Sequence, residues 1–346
     1  MRLGFVAGYT PAAVSVPLAE IEAAEALGYD SVWTAEAYGS DAVSTAAWIL
    51  ARTTRIRVGT AIMQMPARTP TCTAMTAMTL NALSGGRFLL GIGPSGPRVS
   101  EGWYGVPYGK PMTRTREYID IVRQVAARAA PLEHAGHHYQ IPYRGPDATG
   151  LGEPLKTILA PQPELRIYTA AVTPAGFRTA AEVADGVFPI WLDPDQPALI
   201  QPYLAEGFAR RDPARPAADF AVCPLVPVVL GDDVAACMAP VKANIALYVG
   251  GMGPRQKNFY TEYVARLGHA DAARRVQDLF LAGDKAAAAA AVPDALVDAV
   301  ALVGPAGRIR ERLDRWRAAG RRGEVASLLV GGATVPALEL LAKELG

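Results

Sequence analysis

Short runs rich in Val, Ile, Leu and Phe alternate with amphipathic stretches from one end of the chain to the other, as in repeated βα units around parallel strands. The apolar runs predict eight strands, at 3–8, 31–35, 57–63, 88–92, 166–171, 186–190, 220–229 and 325–330. Each is short and nearly unbroken in apolar character, as burial on both faces requires. Between them the period changes to 3.6. Tyr118, Ile119, Val122, Val125, Ala126 and Ala129 share one face of a predicted helix after the fourth strand, and Ile309, Leu313 and Trp316 share one face of the last. Eight such units predict an α/β chain folded as a (β/α)8 TIM barrel, one domain over 1–346.

Two segments do not fit a bare barrel. Residues 142–163 hold five prolines and three glycines and precede the fifth strand, which predicts a long ordered loop or lid. Residues 235–304 hold several helical patterns, interrupted at Gly250-Gly251-Met252-Gly253-Pro254 and at Gly283-Asp284. They predict a helical insertion between strands seven and eight, either subunit surface or substrate wall.

The densest local signal lies at 83–96. Gly85-Gly86 can take positive φ and end a helix, 88–92 reads as a buried strand, and 93–96 leaves backbone exposed at the carboxyl end of that strand. Barrel enzymes keep their chemistry at that end.

Composition narrows the partner. The 346 residues are 51% hydrophobic and 19% charged with a formal net charge of +1, enough apolar material for a large core and no basic surface for nucleic acid or an anionic membrane. Arg210-Arg211 and Arg321-Arg322 are isolated pairs, so the expected partner is a small molecule. Met1-Arg2 passes directly into an apolar run without the layout of an export signal, and the alanine tract at 286–292 is far short of the ~20 apolar residues of a membrane span. The expected location is cytoplasmic. Cys72, Cys223 and Cys237 form no metal-like pair and read as three buried small hydrophobes in a reducing compartment. His134, His137 and His138 cluster without carboxylates or cysteines at a metal spacing, so no metal is predicted.

Four segments then carry a resemblance: 83–96, Gly28-Tyr29-Asp30-Ser31-Val32-Trp33-Thr34-Ala35-Glu36, residues 57–65, and Arg114-Thr115-Arg116-Glu117-Tyr118-Ile119. Through them the whole chain resembles the bacterial luciferase-like superfamily of flavin- and deazaflavin-dependent oxidoreductases, (β/α)8 barrels with an insertion before the final strand. Glu36-Ala37-Tyr38-Gly39-Ser40-Asp41-Ala42, Ser95-Gly96-Pro97 with Glu101-Gly102-Trp103-Tyr104-Gly105, and Tyr248-Val249-Gly250-Gly251-Met252-Gly253 resemble the actinobacterial branch that uses reduced coenzyme F420, an 8-hydroxy-5-deazaflavin. FMN is the alternative cofactor, since both fit nearly the same pocket.

The resemblance implies a site. Thr60, Ala61 and Ile62 would floor the cofactor ring, with a non-prolyl cis peptide at Ala61-Ile62, and Gly93 and Ser95 would contact it. Ala170, Ala171, Val172 and Thr173 would hold the cofactor phosphate at a helix start, although relatives place glycines there and these side chains crowd the approach. Glu36 would approach the ring, and Glu36, Tyr38 or water would supply a proton. Dehydrogenases of alcohols and sugar phosphates carry a histidine next, where this chain has Ala37. Alcohol oxidation is therefore disfavoured, which leaves reduction of an activated C=C, C=N or C=O. Tyr9, Trp103, Tyr104 and Trp191 would wall the substrate, and a homodimer would pack through the helices after strands two and three. Plainer roles stand beside these: Glu36 as an ion-pair partner, Tyr38, Trp103 and Tyr104 as packing, Thr173 as a helix cap. Two other functions remain open, an FMN-dependent monooxygenase using reduced FMN and O2, and a non-catalytic cofactor-binding protein.

Overall fold

The computed structural model describes residues 1–8 and 13–346, and in it eight parallel strands close into a barrel. The strands are Arg2–Gly8, Ser31–Thr34, Arg57–Thr60, Phe88–Gly93, Ile167–Ala171, Gly186–Pro189, a seventh in two pieces (Ala221–Val222 and Leu225–Leu230), and Ser327–Gly331. The first lies between the second and the eighth, with Gly4 opposite Ser31 and Leu3 opposite Leu328. The seventh closes the ring, with Ala221 opposite Gly186 and Leu225 opposite Leu329. Pro224 has no N–H to give and breaks this strand, but Cys223 N–H donates to Val187 O at 2.9 Å and Leu329 N–H to Pro224 O at 3.0 Å, so both ladders continue across the break.

The barrel interior is filled by rings. Trp33 meets Tyr168 and Phe188 edge-on at centroid distances of 5.4 and 5.0 Å, and Tyr168 stacks on Phe188 at 5.5 Å. Glycine makes the room: a Cβ on Gly91 would sit on the Thr60 carbonyl and 2.8 Å from the Phe188 ring. Above these rings the partly buried Val6, Ala61, Ile62 and Leu225 form an apolar layer. A second core lies between barrel and helices, where Ile309, Leu313 and Trp316 are buried as their spacing predicts. Cys223 and Cys237 are buried as expected, whereas Cys72, on the outward face of helix Pro70–Leu83, is exposed and does not meet that expectation.

The insertion consists of helices Val234–Gly251, Phe259–Val264, Ala270–Leu281, Lys285–Ala290 and Asp294–Val300. It has its own apolar core, in which Val241, Ile245, Val249, Tyr263 and Val276 pack with Trp191. Helix Val234–Gly251 is long and apolar enough, by length and composition, to cross a membrane, and much of that apolar surface is spent in this core. After the insertion a three-residue strand, Leu302–Gly304, pairs with Val228, Val229 and Leu230. Its apolar run is too short to stand out in the sequence.

The second half of the proline-rich segment 142–163 is tied to the outer wall. Leu132 N–H donates to Leu155 O at 2.8 Å, Arg128 Nε to Thr157 O at 2.7 Å, and Gln162 N–H to Ala126 O at 2.8 Å. These bonds pin it to the carboxyl end of helix Pro111–Ala127, the end remote from the barrel mouth. Among the described residues its hydrogen bonds reach none of the mouth loops, so it braces the outer wall.

Candidate active site

At the mouth, the chain leaves the second strand through Thr34, whose hydroxyl donates to Ala42 O at 2.9 Å, and Glu36, whose N–H donates to Ile62 O at 3.3 Å. The Ala61–Ile62 peptide is cis, at the position the resemblance implied. These bonds dock the acidic loop against the apolar layer.

The Glu36 carboxylate is buried and accepts four hydrogen bonds. Oε1 takes Gln64 N–H at 2.8 Å and Arg68 Nη1; Oε2 takes Ala42 N–H at 3.1 Å and Arg68 Nη2 at 3.0 Å. The Arg68 fork thus grips both oxygens, and its Nη2 also reaches Asp41. Asp41 caps helix Ala42–Arg52 through Ser44 N–H at 2.6 Å. Burial alone would raise the Asp41 carboxyl, but the Ser44 bonds and the Arg68 charge outweigh it and hold Asp41 below its ordinary value.

Beside this triad opens a cleft of about 270 Å³, whose wall includes Glu36, Tyr38, Arg68, Trp103 and Tyr104. Tyr38 and Trp103 are 54% and 63% exposed and form the rim. Tyr104 lies deeper, and its hydroxyl donates to Ala37 O at 3.4 Å. Burial, and then the Glu36 charge, push the Tyr104 phenol above its ordinary 10.0. The structure therefore brings Glu36, Tyr38, Trp103 and Tyr104 together, and Glu36 is an ion-pair partner whatever else it does.

The other expected residues divide. Ile62, Gly93 and Ala170 meet: a Cβ on Gly93 would overlap Ile62 Cδ1 and lie 3.7 Å from the Ala170 Cβ. Ser95 sits in the loop after the fourth strand with φ 61. Thr60 is wholly buried and exchanges two hydrogen bonds with Gly91, at 2.7 and 3.1 Å, so it ties strands three and four together and presents no surface to a ligand. Ala171 is buried, Val172 packs against the insertion core, and the Thr173 hydroxyl accepts Gly176 N–H at 3.1 Å at the start of helix Pro174–Val183. Trp191 does not wall the substrate. It is 1% exposed, with Tyr248 and Tyr260 edge-on at 5.8 Å each, and it joins the barrel to the insertion. Tyr9 lies outside the described residues.

Three residues at the mouth escape a reading from sequence: Arg68, Asp41 and Gln64. Gln64 is buried beside Glu36, donates Nε2 to Glu36 O at 3.0 Å, and leaves Oε1 without a partner among the described residues. Their one local signal is position, just past strand ends or at a helix start, which surface residues share.

The model of the luciferase-like monooxygenase family matches residues 6–323. A provisionally named coenzyme F420-dependent oxidoreductase of Mycobacterium tuberculosis is 46% identical over 322 residues, 92% of this chain and 93% of that protein. A 5,10-methylenetetrahydromethanopterin reductase of Archaeoglobus fulgidus is 27% identical over 94% of this chain and 93% of its own length. Among solved structures, a coenzyme F420-dependent tetrahydromethanopterin reductase from Methanopyrus kandleri superposes with a TM-score of 0.77 at 20% identity, covering 99% of this chain and 97% of that one.

Proposed function

This chain belongs to the luciferase-like monooxygenase family, and we propose that its barrel mouth binds reduced coenzyme F420 and serves hydride transfer to a small organic electrophile with an activated C=C, C=N or C=O bond. The observation that carries the reading is the 46% identity, over nearly the full length of both chains, with a protein named for that cofactor.

The residues present fit a deazaflavin. Its ring needs an apolar floor, which Val6, Ala61, Ile62 and Leu225 offer, and a polar edge. The unpartnered Gln64 Oε1 is a buried acceptor of the kind a pyrimidine N–H satisfies. Ala170 to Thr173, at the start of a ten-residue helix, would face the phosphate. When bound, the cofactor supplies a hydride from carbon 5.

The rest of the chemistry falls to this chain's side chains. With both Glu36 oxygens occupied as acceptors by Arg68 and backbone N–H groups, a proton there would displace one of those bonds, so Glu36 holds the loop and sets the local charge. Tyr104 is the better proton source. Its hydroxyl lines the same cleft, and a phenol carries its proton at neutral pH. Trp103 and Tyr38, at the rim, would limit what enters. The homodimer belongs to this reading too, because helices Ala42–Arg52 and Pro70–Leu83 carry Trp48 and Met75 exposed, at 51% and 57%.

Mixing the enzyme under argon with reduced F420 and a panel of enones, imines and ketones tests the reaction. Substrate-dependent return of the oxidised deazaflavin absorbance supports it. The family's name points to the second reading: uptake of O2 with reduced FMN, and none of the anaerobic reaction, would make the enzyme a monooxygenase.

A further inference from the structure

The insertion carries a cation that the site described so far leaves unused. Arg266 lies in Ala265–His269, the segment joining helix Phe259–Val264 to helix Ala270–Leu281, where Gly268 turns the chain at φ 93. Its guanidinium lies over the Tyr263 ring, with Cζ 5.2 Å from the centroid. Nη2 donates to Val172 O at 2.6 Å. Nη1 is buried and has no hydrogen-bond partner among the described residues. Among the described residues no carboxylate pairs with Arg266, whereas Arg68, Arg123 and Arg315 all hold one.

A buried guanidinium N–H without an acceptor is costly, and an anion is the partner that satisfies both its hydrogen bond and its charge. The anchor fixes where that anion would sit. Val172 immediately precedes Thr173, the cap of helix Pro174–Val183, so the guanidinium is tied to the loop at the positive end of that helix. In this loop Ala171, Val172 and Thr173 stand where a phosphate would otherwise approach bare backbone. A charge brought from the insertion compensates for what the crowded backbone gives up.

We propose that Arg266 is the charged member of an anion site shared by the insertion and the strand-five loop, and that it binds the phosphate of the cofactor. The inference rests on the cofactor reading above. It assigns the insertion a direct part in cofactor binding, through a residue 94 positions away from the loop it completes.

The test compares ligands that differ only in phosphate, titrated by fluorescence quenching against the full-length protein and its Arg266→Gln variant. The pairs are F420 with phosphate-free 8-hydroxy-5-deazariboflavin, and FMN with riboflavin. The expected result is a loss of about tenfold or more in F420 affinity for Arg266→Gln, with deazariboflavin affinity unchanged within about twofold. Arg266→Lys, which keeps the charge but not the fork, should fall between; it replaces Arg266→Gln if circular dichroism shows the latter unfolded. Equal losses for both members of each pair, or no loss for either, would overturn the proposal. If the wild type binds FMN rather than F420, and Arg266→Gln weakens FMN but not riboflavin, Arg266 keeps its role and the deazaflavin reading falls. Binding of none of the four by the wild type would sink both.

Discussion

The Arg68 fork on Glu36 shows how much of this mouth rests on a single residue. Both groups are largely buried, and removing one partner of such a pair costs about 3–5 kcal/mol because the other charge is left uncompensated. Arg68→Ala should therefore lose about that much in urea unfolding; a loss under ~1 kcal/mol would mean that solvent already screens the pair. Tyr104 is tested by rate. Tyr104→Phe should lower turnover about 100-fold while leaving cofactor affinity in place, and the wild-type rate should hold through neutral pH and fall only in alkali, as the raised phenol pKa is passed. An unchanged rate in the variant would return proton delivery to water. Glu36 was legible through the resemblance carried by the segment 28–36, which sets an acidic residue near the cofactor ring. Arg68 was not, since nothing local separates an arginine that grips a buried carboxylate from one that faces water. Thr60 and Trp191 misled for the opposite reason: their positions lie near the mouth, but their side chains turn into the wall and the insertion core.

Among the elements, the barrel strands were the most legible because burial on both faces leaves an unbroken apolar run, whereas Leu302–Gly304, with three residues, and the two-residue strands His134–Ala135 and Gln140–Ile141 fell below that signal. The segment 142–163 was legible as a loop but not in its location, which depends on distant carbonyls such as Ala126 O and Ala129 O. The cap on helix Pro174–Val183 was read from Thr-Pro alone. Thr173→Ala should cost about 1 kcal/mol in thermal or urea unfolding, and a smaller change would mean that the helix start is held by its tertiary contacts. The hairpin His134–Ala135 with Gln140–Ile141 offers a pH test. Its turn is held by Glu117, which accepts the N–H groups of His137, His138 and Tyr139 at 2.8, 2.8 and 3.1 Å. Burial would raise this carboxyl, but those three bonds hold it below its ordinary 4.5. A carboxyl depressed on folding contributes stability that is full above the unfolded value and lost as pH falls through the folded one. Hydrogen exchange at these amides should thus stay slow at pH 5 and quicken only below the ordinary glutamate range; quickening between pH 7 and 5 would assign the turn to histidine titration instead.

For the whole molecule, the alternation of apolar runs and amphipathic stretches was enough for the barrel, since eight repeated units leave few other ways to bury strands on both faces. The insertion's role was not legible, because its helices show their apolar faces but not which loop they meet. In the structure it packs through Trp191 and Val172 onto the sixth and fifth strand ends, which makes the mouth a composite of barrel and insertion. Whether this composite mouth is a deazaflavin site is read most directly from anaerobic binding of F420 and of FMN, side by side, by fluorescence quenching on the wild-type protein. A deazaflavin site binds F420 tightly and FMN much more weakly; the reverse order would contradict that assignment.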